Sequence, residues 1–364
     1  MVAMRALLYL ATLAIAGCSY TAPGGSGNDP NDAPVGGGGL RKPITISGTR
    51  LPGTVTNFPV WFDITDPELA AGATADGSDL YFTDAAGAVL PHELRSWDPN
   101  TGHLTAFFRA AELTQDQDMA FYLHYAGALA PAQDPAAVFS AYVAVWHLDD
   151  PLVAATVVES RGIANGTAIG MTSARQVPGQ LGGGFDFDGS TMQVTFDNMI
   201  TGNTSSTISA WVSQRSPNGM DSIVTLGSSS QNSSRFLYAV YSNNHVGAGL
   251  YANDWNDVGT DVRNDGFALL HWTLDGQTGN STLYRDGTNP TTHSFGTTIT
   301  TSGTTGAGWI GFSPGAWGNN HLNGVLDEVR IARTALTDKW VEIEYENQHS
   351  PSTFYSIDAA QPVP

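Results

Sequence analysis

The chain has 364 residues, and its 34 acidic against 15 basic side chains give a formal net charge of −19 at pH 7. Its only lysines are Lys42 and Lys339. No cationic patch can therefore neutralise phosphates, which argues against nucleic acid or an anionic lipid surface as a partner. Hydrophobic residues make up 41% of the sequence, which excludes wholesale disorder, and the length predicts about two domains.

A signal-peptide pattern occupies residues 1–17. Arg5 precedes an apolar stretch that is too short to cross a bilayer of about 30 Å as a helix. The stretch ends in Ile15-Ala16-Gly17-Cys18, which resembles the lipobox of bacterial lipoproteins. This resemblance implies cleavage before Cys18, acylation of its thiol and new amino group, and a lipid anchor at the outer membrane of the bacterial cell envelope. An ordinary signal peptide with a chance cysteine is the alternative.

Residues 18–40 are rich in Gly, Ser, Pro and Asn and contain almost no bulky apolar side chain. A segment of this composition cannot bury enough apolar surface to fold, so we expect lipidated Cys18 to be followed by a disordered linker. As a flexible coil, this linker would hold the folded part about 25 Å from the membrane.

From Lys42 onward, the sequence consists of short apolar stretches that are often alternating. Phe58, Val60, Phe62 and Ile64 recur at every second position and predict a strand with one buried face. Glycine-containing turn signals separate such stretches roughly every 8–12 residues, which is typical of β-sandwiches. The sequence therefore predicts an all-β chain.

One short helix is predicted near the C-terminus. Thr337 can cap a helix over Asp338–Asn347, with Asp338 in the first turn, where the helix dipole favours negative charge. Further towards the N-terminus, a Pro- and Ala-rich connector at Ala128–Ala137 separates two β-rich parts. We expect an N-terminal β-sandwich-like domain at residues 41–130 and a second β-rich domain at residues 143–358.

Both parts resemble known families. Residues 41–127 resemble the bacterial domain of unknown function DUF2341 through RKPITISGT, FPVWFDIT, LPHELRSWDP and MAFYLHYAG. Residues 143–355 resemble the LamG-like jelly roll of concanavalin A type through VWHLDD, GGGFDFDGS, TISAWVS, STLYRDG and WIGFSP. The resemblance implies an extracellular sandwich module, often one that binds carbohydrate or another ligand, and it implies no definite reaction.

Three motifs invite a catalytic interpretation. Gly311–Gly315 fits the G-x-S-x-G pattern, but Pro314 follows the serine and has no N–H for an oxyanion. Gly306–Gly311 fits a dinucleotide-binding pattern, but no helix is expected after it. The acidic segment 342–346 (EIEYE) resembles the carboxylate signature of laminarinase-type glycosidases. On a strand its three carboxylates would share one face. On a helix, the interpretation we favour, Glu342 and Glu346 share a solvated acidic face and Glu344 points elsewhere.

The jelly-roll resemblance also implies a structural Ca²⁺, which takes about 6–8 oxygen ligands. It favours Asp149 or Asp150, together with Asp327 of the LDEV segment, as the metal ligands. The alternative is that Asp327 pairs with Arg330 or holds loop backbone.

Two segments, Tyr251–Asp257 and Gly315–His321, each place a tryptophan among amides in a predicted loop. Sugars stack their apolar faces on aromatic rings while amides and acids bind their hydroxyls, so this composition suits a glycan site. The alternative is that both tryptophans cover the edge of the sandwich. The predicted ligand-binding residues are Tyr251, Asn253, Trp255, Trp317 and Asn319. The tryptophans predicted for the core are Trp61, Trp146, Trp211, Trp272 and Trp309.

The sequence thus predicts a lipid-anchored, non-catalytic surface module that binds a glycan or another extracellular ligand, and we assign it no catalytic residue. Two rival functions remain open: a glycoside hydrolase on a concanavalin-like fold, and a structural or adhesive spacer. The acidic segment on a sheet face would mark the hydrolase. Burial of Trp255 and Trp317 would mark the spacer.

Overall fold

The computed structural model describes residues 39–215, 219–241, 244–257, 259–303, 306–315 and 320–364. The predicted signal peptide, Cys18 and the linker up to residue 38 lie outside these residues. Strands dominate the described chain, and the predicted all-β class is confirmed.

The N-terminal part contains six strands and one short helix. The strand predicted from Phe58, Val60, Phe62 and Ile64 is present as part of β2, but it is buried on both faces from Phe58 to Phe62 instead of on one. The strands are β1 (Leu40–Ile46), β2 (Val55–Thr65), β3 (Tyr81–Asp84), β4 (His92–Asp98), β5 (His103–Leu113) and β6 (Met119–Tyr125). Helix α1 (Pro67–Gly72) follows β2, and a 3₁₀ turn covers Gly48–Arg50.

The second part begins with helix α2 (Pro135–Val138) and continues almost entirely as strands. A 3₁₀ turn covers Ser173–Arg175. The strands are β7 (Ala144–Trp146), β8 (Thr156–Val157), β9 (Gly166–Ile169), β10 (Gln176–Pro178), β11 (Gly183–Asp188), β12 (Gln193–Phe196), β13 (Ser206–Gln214), β14 (Asp221–Gly227), β15 (Ser234–Val240), β16 (Gly247–Leu250), β17 (Asn253–Asn256), β18 (Ala268–Leu274), β19 (Asn280–Arg285), β20 (Thr288–Ser294), β21 (Gly308–Ile310), β22 (Phe312–Ser313), β23 (Asn320–His321) and β24 (Asn323–Ala332).

The C-terminal segment consists of helix α3 (Asp338–His349), helix α4 (Pro351–Phe354) and strands β25 (Tyr355–Ile357) and β26 (Gln361–Pro362). The predicted C-terminal helix is confirmed, and it ends two residues later than predicted. Its cap is also as predicted, because the Thr337 side chain accepts a hydrogen bond from the backbone N–H of Trp340.

Four antiparallel sheets form the body of the fold. Sheet I has the order β25-β1-β6-β3, with β26 also paired to β1, and sheet II has the order β2-β5-β4. Sheet III has the order β10-β11-β24-β13-β18-β19-β20, with β7 also paired to β24. Sheet IV has the order β17-β16-β15-β14-β21-β12-β9-β8, and β22 and β23 form a separate ribbon.

Two apolar cores hold these sheets together. The first fills the space between sheets III and IV, with Trp146 and Trp272 among its fully buried members, and makes the predicted jelly-roll sandwich. The second core joins the N-terminal strands to the outer side of sheet III. It contains Phe62 and Phe107 of sheet II together with Trp211 of sheet III.

The C-terminal segment ties the N-terminal part to the jelly roll. Asn347 of α3 accepts a hydrogen bond from the backbone N–H of Trp61 at 2.7 Å, and its amide donates to the Trp61 carbonyl at 2.9 Å. Strand β25 then pairs with β1, with Ile44 opposite Ile357. Residues 37–364 accordingly form one compact unit, and the predicted domain bounds, 41–130 and 143–358, stay a prediction within it.

Candidate functional site

A shallow cleft, partly open to solvent, lies on the outer face of sheet IV. The alternation of β15 explains this placement, because Phe236 and Tyr238 line the cleft while Leu237 and Ala239 belong to the core beneath. The ribbon β22–β23 closes one side. The described lining residues are Met220, Thr225, Gly227, Ser228, Ser229, Ser234, Phe236, Tyr238, Tyr241, Tyr251, Asp254, Ser313, Pro314, Gly315 and Asn320.

Glycines on β16 make room for the aromatic rings of this cleft. A Cβ atom added to Gly247 would lie 2.3 Å from Cβ of Tyr241, and one added to Gly249 would lie 2.9 Å from Cζ of Phe236. The rings of Phe236 and Tyr241 are stacked, with centroids 6.0 Å apart. The side chains of β15 and of Tyr241 therefore lie across β16 as an aromatic floor.

Polar groups are placed at the edges of the aromatic floor. The Tyr241 hydroxyl donates to Oδ2 of Asp254 at 2.5 Å, and Nδ2 of Asn320 lies 3.4 Å from the Tyr238 hydroxyl. Burial raises the pKa of Tyr241, and the hydrogen bond to Asp254 raises it further. Burial also raises the pKa of Tyr238. Both phenols therefore remain protonated donors at neutral pH, beside a carboxylate that accepts.

Only some of the predicted ligand residues that the structure describes line the cleft. Tyr251 lines the cleft, and the two predicted segments meet there, because Gly315 and Asn320 line it too. The amide of Asn253 instead donates to the Phe295 carbonyl at 3.2 Å. Trp317 and Asn319 lie outside the described residues.

Trp255 is not among the residues that line the cleft. The segment is strand β17 rather than a loop, so Asp254 points to the cleft and Trp255 to the opposite face. There Trp255 packs against the core and stacks on His293, with centroids 5.4 Å apart. The alternative interpretation, a tryptophan that covers the edge of the sandwich, describes its position.

Trp309 also differs from the prediction. It was expected in the core, but it is only half buried, while its neighbour Ile310 is fully buried. It lies directly opposite Thr225 of β14, which lines the cleft, so both side chains are on the outer face of sheet IV. Side chains alternate between the two faces of a strand, so a core position for Ile310 could have predicted that Trp309 lies on the outer face. The other four tryptophans predicted for the core are buried.

The acidic segment 342–346 lies on helix α3, so its three carboxylates do not share a sheet face. Glu346 is exposed and Glu342 is half buried, whereas Glu344, which points elsewhere on the helix, is 1% exposed. Its carboxylate pairs with Arg330 at 2.6 Å and with His271 at 2.9 Å, and it accepts from the Tyr142 hydroxyl at 3.0 Å. Burial alone would raise the pKa of Glu344, but Arg330 and His271 outweigh it and lower that pKa to about 2.

This ion pairing continues across the boundary between the two parts of the chain. Arg330 also pairs with Glu328 at 2.6 Å, and Glu328 contacts Nδ1 of His147 at 2.5 Å. Nε2 of His147 lies 3.1 Å from Glu93 on β4 of sheet II. Burial alone would lower the pKa of His147, but Glu328 and Glu93 raise it to about 10, so the imidazole is a cation at neutral pH. We call Glu93, His147, Glu328, Arg330 and Glu344 the buried charge network.

The predicted calcium ligands Asp149 and Asp327 both lie beside the segment Gly179–Gly184, while Asp150, the alternative to Asp149, is ion-paired with Arg95 at 3.0 Å. Asp149 is ion-paired with Arg95, and Asp327 is fully buried and accepts from the backbone N–H of Leu181 at 2.7 Å. The remaining oxygen of Asp327, Oδ1, has no partner. In the described residues no group of three acidic, His or Cys side chains converges as a metal site. Two carboxylates, one of them paired, fit calcium poorly, and calcium binding stays a prediction.

The two glycine motifs lie on short strands, which argues against a catalytic role for either of them. Gly306–Gly311 runs into strand β21, and Gly311–Gly315 runs through the short strand β22, so no helix follows either of them in the described residues. Ser313 and Pro314 instead contribute to the wall of the cleft. In the part of the chain that the structure describes, no helix is both long and apolar enough to cross a membrane.

Comparison with protein families agrees with this architecture. Residues 188–342 match the concanavalin A-like lectin/glucanases superfamily, and residues 76–145 match a domain of unknown function, DUF2341. The chain therefore carries a DUF2341 region followed by a concanavalin A-like lectin/glucanase region. Both resemblances and their order are as the sequence predicts. No curated protein matches the chain.

Three solved structures illustrate the range of similar chains. Domain 4 of AbnA, a GH43 extracellular arabinanase from Geobacillus stearothermophilus, in complex with arabinotriose, is 17% identical, with 55% of this chain and 96% of that chain covered and a TM-score of 0.43. Trypanosoma rangeli sialidase in complex with the inhibitor DANA is 14% identical, with 65% of this chain and 41% of that chain covered and a TM-score of 0.40. The binding domain of botulinum neurotoxin DC in complex with rat synaptotagmin II is 14% identical, with 57% of this chain and 52% of that chain covered and a TM-score of 0.42.

Proposed function

We propose that this protein is a non-catalytic module that binds a glycan in the cleft on sheet IV. The observation that supports it best is the composition of the cleft, where stacked aromatic rings lie beside hydroxyls, an amide and one carboxylate. Aromatic faces stack on the apolar faces of sugar rings, and the polar groups exchange hydrogen bonds with sugar hydroxyls.

The carboxylates argue against the rival function of a glycoside hydrolase. Hydrolysis of a glycosidic bond generally requires two carboxyl groups on either side of it, roughly 5–10 Å apart. Among the described lining residues, Asp254 is the only carboxylate, and it accepts the hydrogen bond of Tyr241. Glu344 is enclosed in the buried charge network, where no substrate reaches it.

We expect Tyr251→Ala to weaken glycan binding about tenfold, because it removes one stacking ring from the cleft. Since Tyr251 is only half buried, the free energy of unfolding should change by about 0.5 kcal/mol or less. Binding of residues 19–364 to an array of glycans, followed by titration with the best ligand, measures the first effect. Urea denaturation measures the second.

The matched control is Tyr122→Ala, which removes a half-buried tyrosine from sheet I, far from the cleft. Equal affinity of the two variants would remove the cleft from consideration as the binding site. Failure of the folded wild-type chain to bind any glycan would favour the spacer function instead.

The lipid anchor at Cys18 is part of the same proposal, because a binding module held about 25 Å from a membrane by its linker presents its cleft to the surroundings. Wild-type protein expressed in bacteria should incorporate labelled palmitate and fractionate with the outer membrane. Cys18→Ser should do neither, since the serine hydroxyl does not replace the thiol in lipidation. Palmitate on the serine variant would contradict the anchor.

A further inference from the structure

The cleft occupies only one end of the outer face of sheet IV. From the residues that continue across this face, we infer that the site takes an extended chain of neutral sugars, with Trp309 as its second stacking position. This inference rests on the proposed glycan-binding function and adds the length and charge class of the ligand.

A single row of cross-strand partners leads from the cleft to Trp309 and beyond. Residues directly opposite each other in an antiparallel pair project from the same face of the sheet. The pairs are continuous over seven strands, and all members of the row therefore lie on the outer face. In order, the row consists of Asp254, Gly249, Phe236, Thr225, Trp309, Thr195 and Thr167.

The spacing of the two aromatic side chains suits a chain of sugars. Phe236 and Trp309 are two strands apart, with Thr225 between them. Neighbouring strands are about 4.8 Å apart, so Phe236 and Trp309 lie about 10 Å apart along the sheet, roughly the length of a disaccharide. Phe236 is itself buried beneath the half-buried ring of Tyr241, so the sugar at this end would stack on Tyr241, and a sugar further along the chain would stack on Trp309.

Between Asp254 and Trp309 the row is buried at Gly249, Phe236 and Thr225, and from Trp309 onward it is open to solvent. Trp309 and Thr195 are half buried, and Thr167 is exposed. The threonine hydroxyls donate and accept hydrogen bonds, which is the capacity that sugar hydroxyls need along a chain. The outer face therefore offers contacts for several sugar units in succession.

The charges along this surface select a neutral ligand. Among the described residues of the cleft and of the row, Asp254 is the only charged side chain. The whole chain carries a net charge of −19. A uronate or sulfated glycan would meet this negative field with no arginine or lysine to compensate it, so its association is disfavoured.

The test is titration calorimetry on residues 19–364 with cello-, xylo-, manno- and arabino-oligosaccharides of two and six units, and with oligogalacturonate. We expect at least one neutral six-unit ligand to bind about tenfold more tightly than its two-unit form. Trp309→Ala should remove this advantage and leave two-unit binding unchanged. Tyr251→Ala should weaken both. Trp97→Ala, which truncates a half-buried tryptophan of the N-terminal part, is the matched control and should change neither affinity.

A second variant, Thr195→Glu, keeps Trp309 in place and should likewise abolish the six-unit advantage by placing a bulky charge on the row. Equal affinity of the wild type for two and six units, or no effect of either variant on the six-unit ligand, would overturn the extended site while glycan binding in the cleft stood. Tighter binding of oligogalacturonate than of the neutral oligosaccharides would overturn the inference that the ligand is uncharged. Absence of binding by every oligosaccharide would overturn the proposed function and this inference together.

Discussion

Replacing Arg330 by methionine is expected to lower the free energy of unfolding by about 3–5 kcal/mol, because it leaves Glu328 and Glu344 buried without their shared cation. Arg330 is 1% exposed, and its guanidinium carbon lies 5.2 Å from the ring centre of Phe107, so water cannot replace the lost partner. Urea denaturation at pH 7 measures the change as a lower midpoint at similar slope.

The matched control is Arg285→Met, which removes a more exposed arginine from its pairs with Asp265 and Asp286. Exposed pairs contribute little, so this variant should lose about 1 kcal/mol or less. Equal destabilisation by the two variants would show that the buried charge network contributes no more than a surface pair.

The pH dependence of the difference between wild type and Arg330→Met gives an independent check. The pKa of Glu344 is lowered to about 2 in the folded protein, so the stability contributed by this carboxylate is present above its ordinary pKa near 4.5. That stability is lost as pH falls from about 4.5 through 2. In the variant, burial without Arg330 raises the pKa of Glu344, so the folded variant takes up a proton there at a higher pH than the wild type does. The difference between the two proteins should therefore be largest near pH 7 and shrink progressively as the pH falls towards 3.

Removing residues 338–364 should abolish cooperative folding of the N-terminal part, which is the largest effect we expect. The deletion takes away β25 and β26 from sheet I, and it removes Trp340 and Ile343 from the core that both parts share. Calorimetry should show a single unfolding transition for residues 19–364. The truncated chain should lose it and expose apolar surface that binds a hydrophobic dye.

Removal of residues 363–364, which lie beyond the last strand, is the control and should preserve the transition. Asn347→Ala offers a graded version of the same experiment. It leaves the buried N–H and carbonyl of Trp61 without partners, and each such group costs about 1–3 kcal/mol. An unchanged transition after the full deletion would show that the N-terminal part folds without the C-terminal segment.

Local patterns in the sequence predicted local structure well. The Thr337 cap and the polar start at Asp338 located α3, and alternation located β2, since both depend only on neighbouring residues. The burial of Glu344 could not be predicted, because its partners Arg330, His271 and Tyr142 are distant in sequence. The sequence of an acidic helix gives no sign that the fold places a buried arginine beside it.

The candidate site was predicted in part, and its errors have one physical cause. Tyr251 was found from composition, because aromatic and polar residues together suit a sugar. Trp255 and Trp309 were misplaced because the exposure of a strand residue depends on the face from which it projects. The sequence did not show that 253–256 is a strand, and at Trp309 the alternation with Ile310 was not used. The convergence of the two segments on one cleft depends on sheet order, which local patterns do not encode.

The central position of β1 has a mechanical consequence. This strand lies between β6 and the C-terminal strands β25 and β26, with seven register pairs on the first side and five on the second. Tension on the chain before Leu40 acts on β1, which is the first described strand. Such a force must break the hydrogen bonds on both sides of β1 together, whereas an edge strand would separate from one neighbour only. The strands on the second side, β25 and β26, come from the C-terminal end of the chain. The fold therefore resists being pulled apart from its N-terminus, which is the end where we propose the lipid anchor.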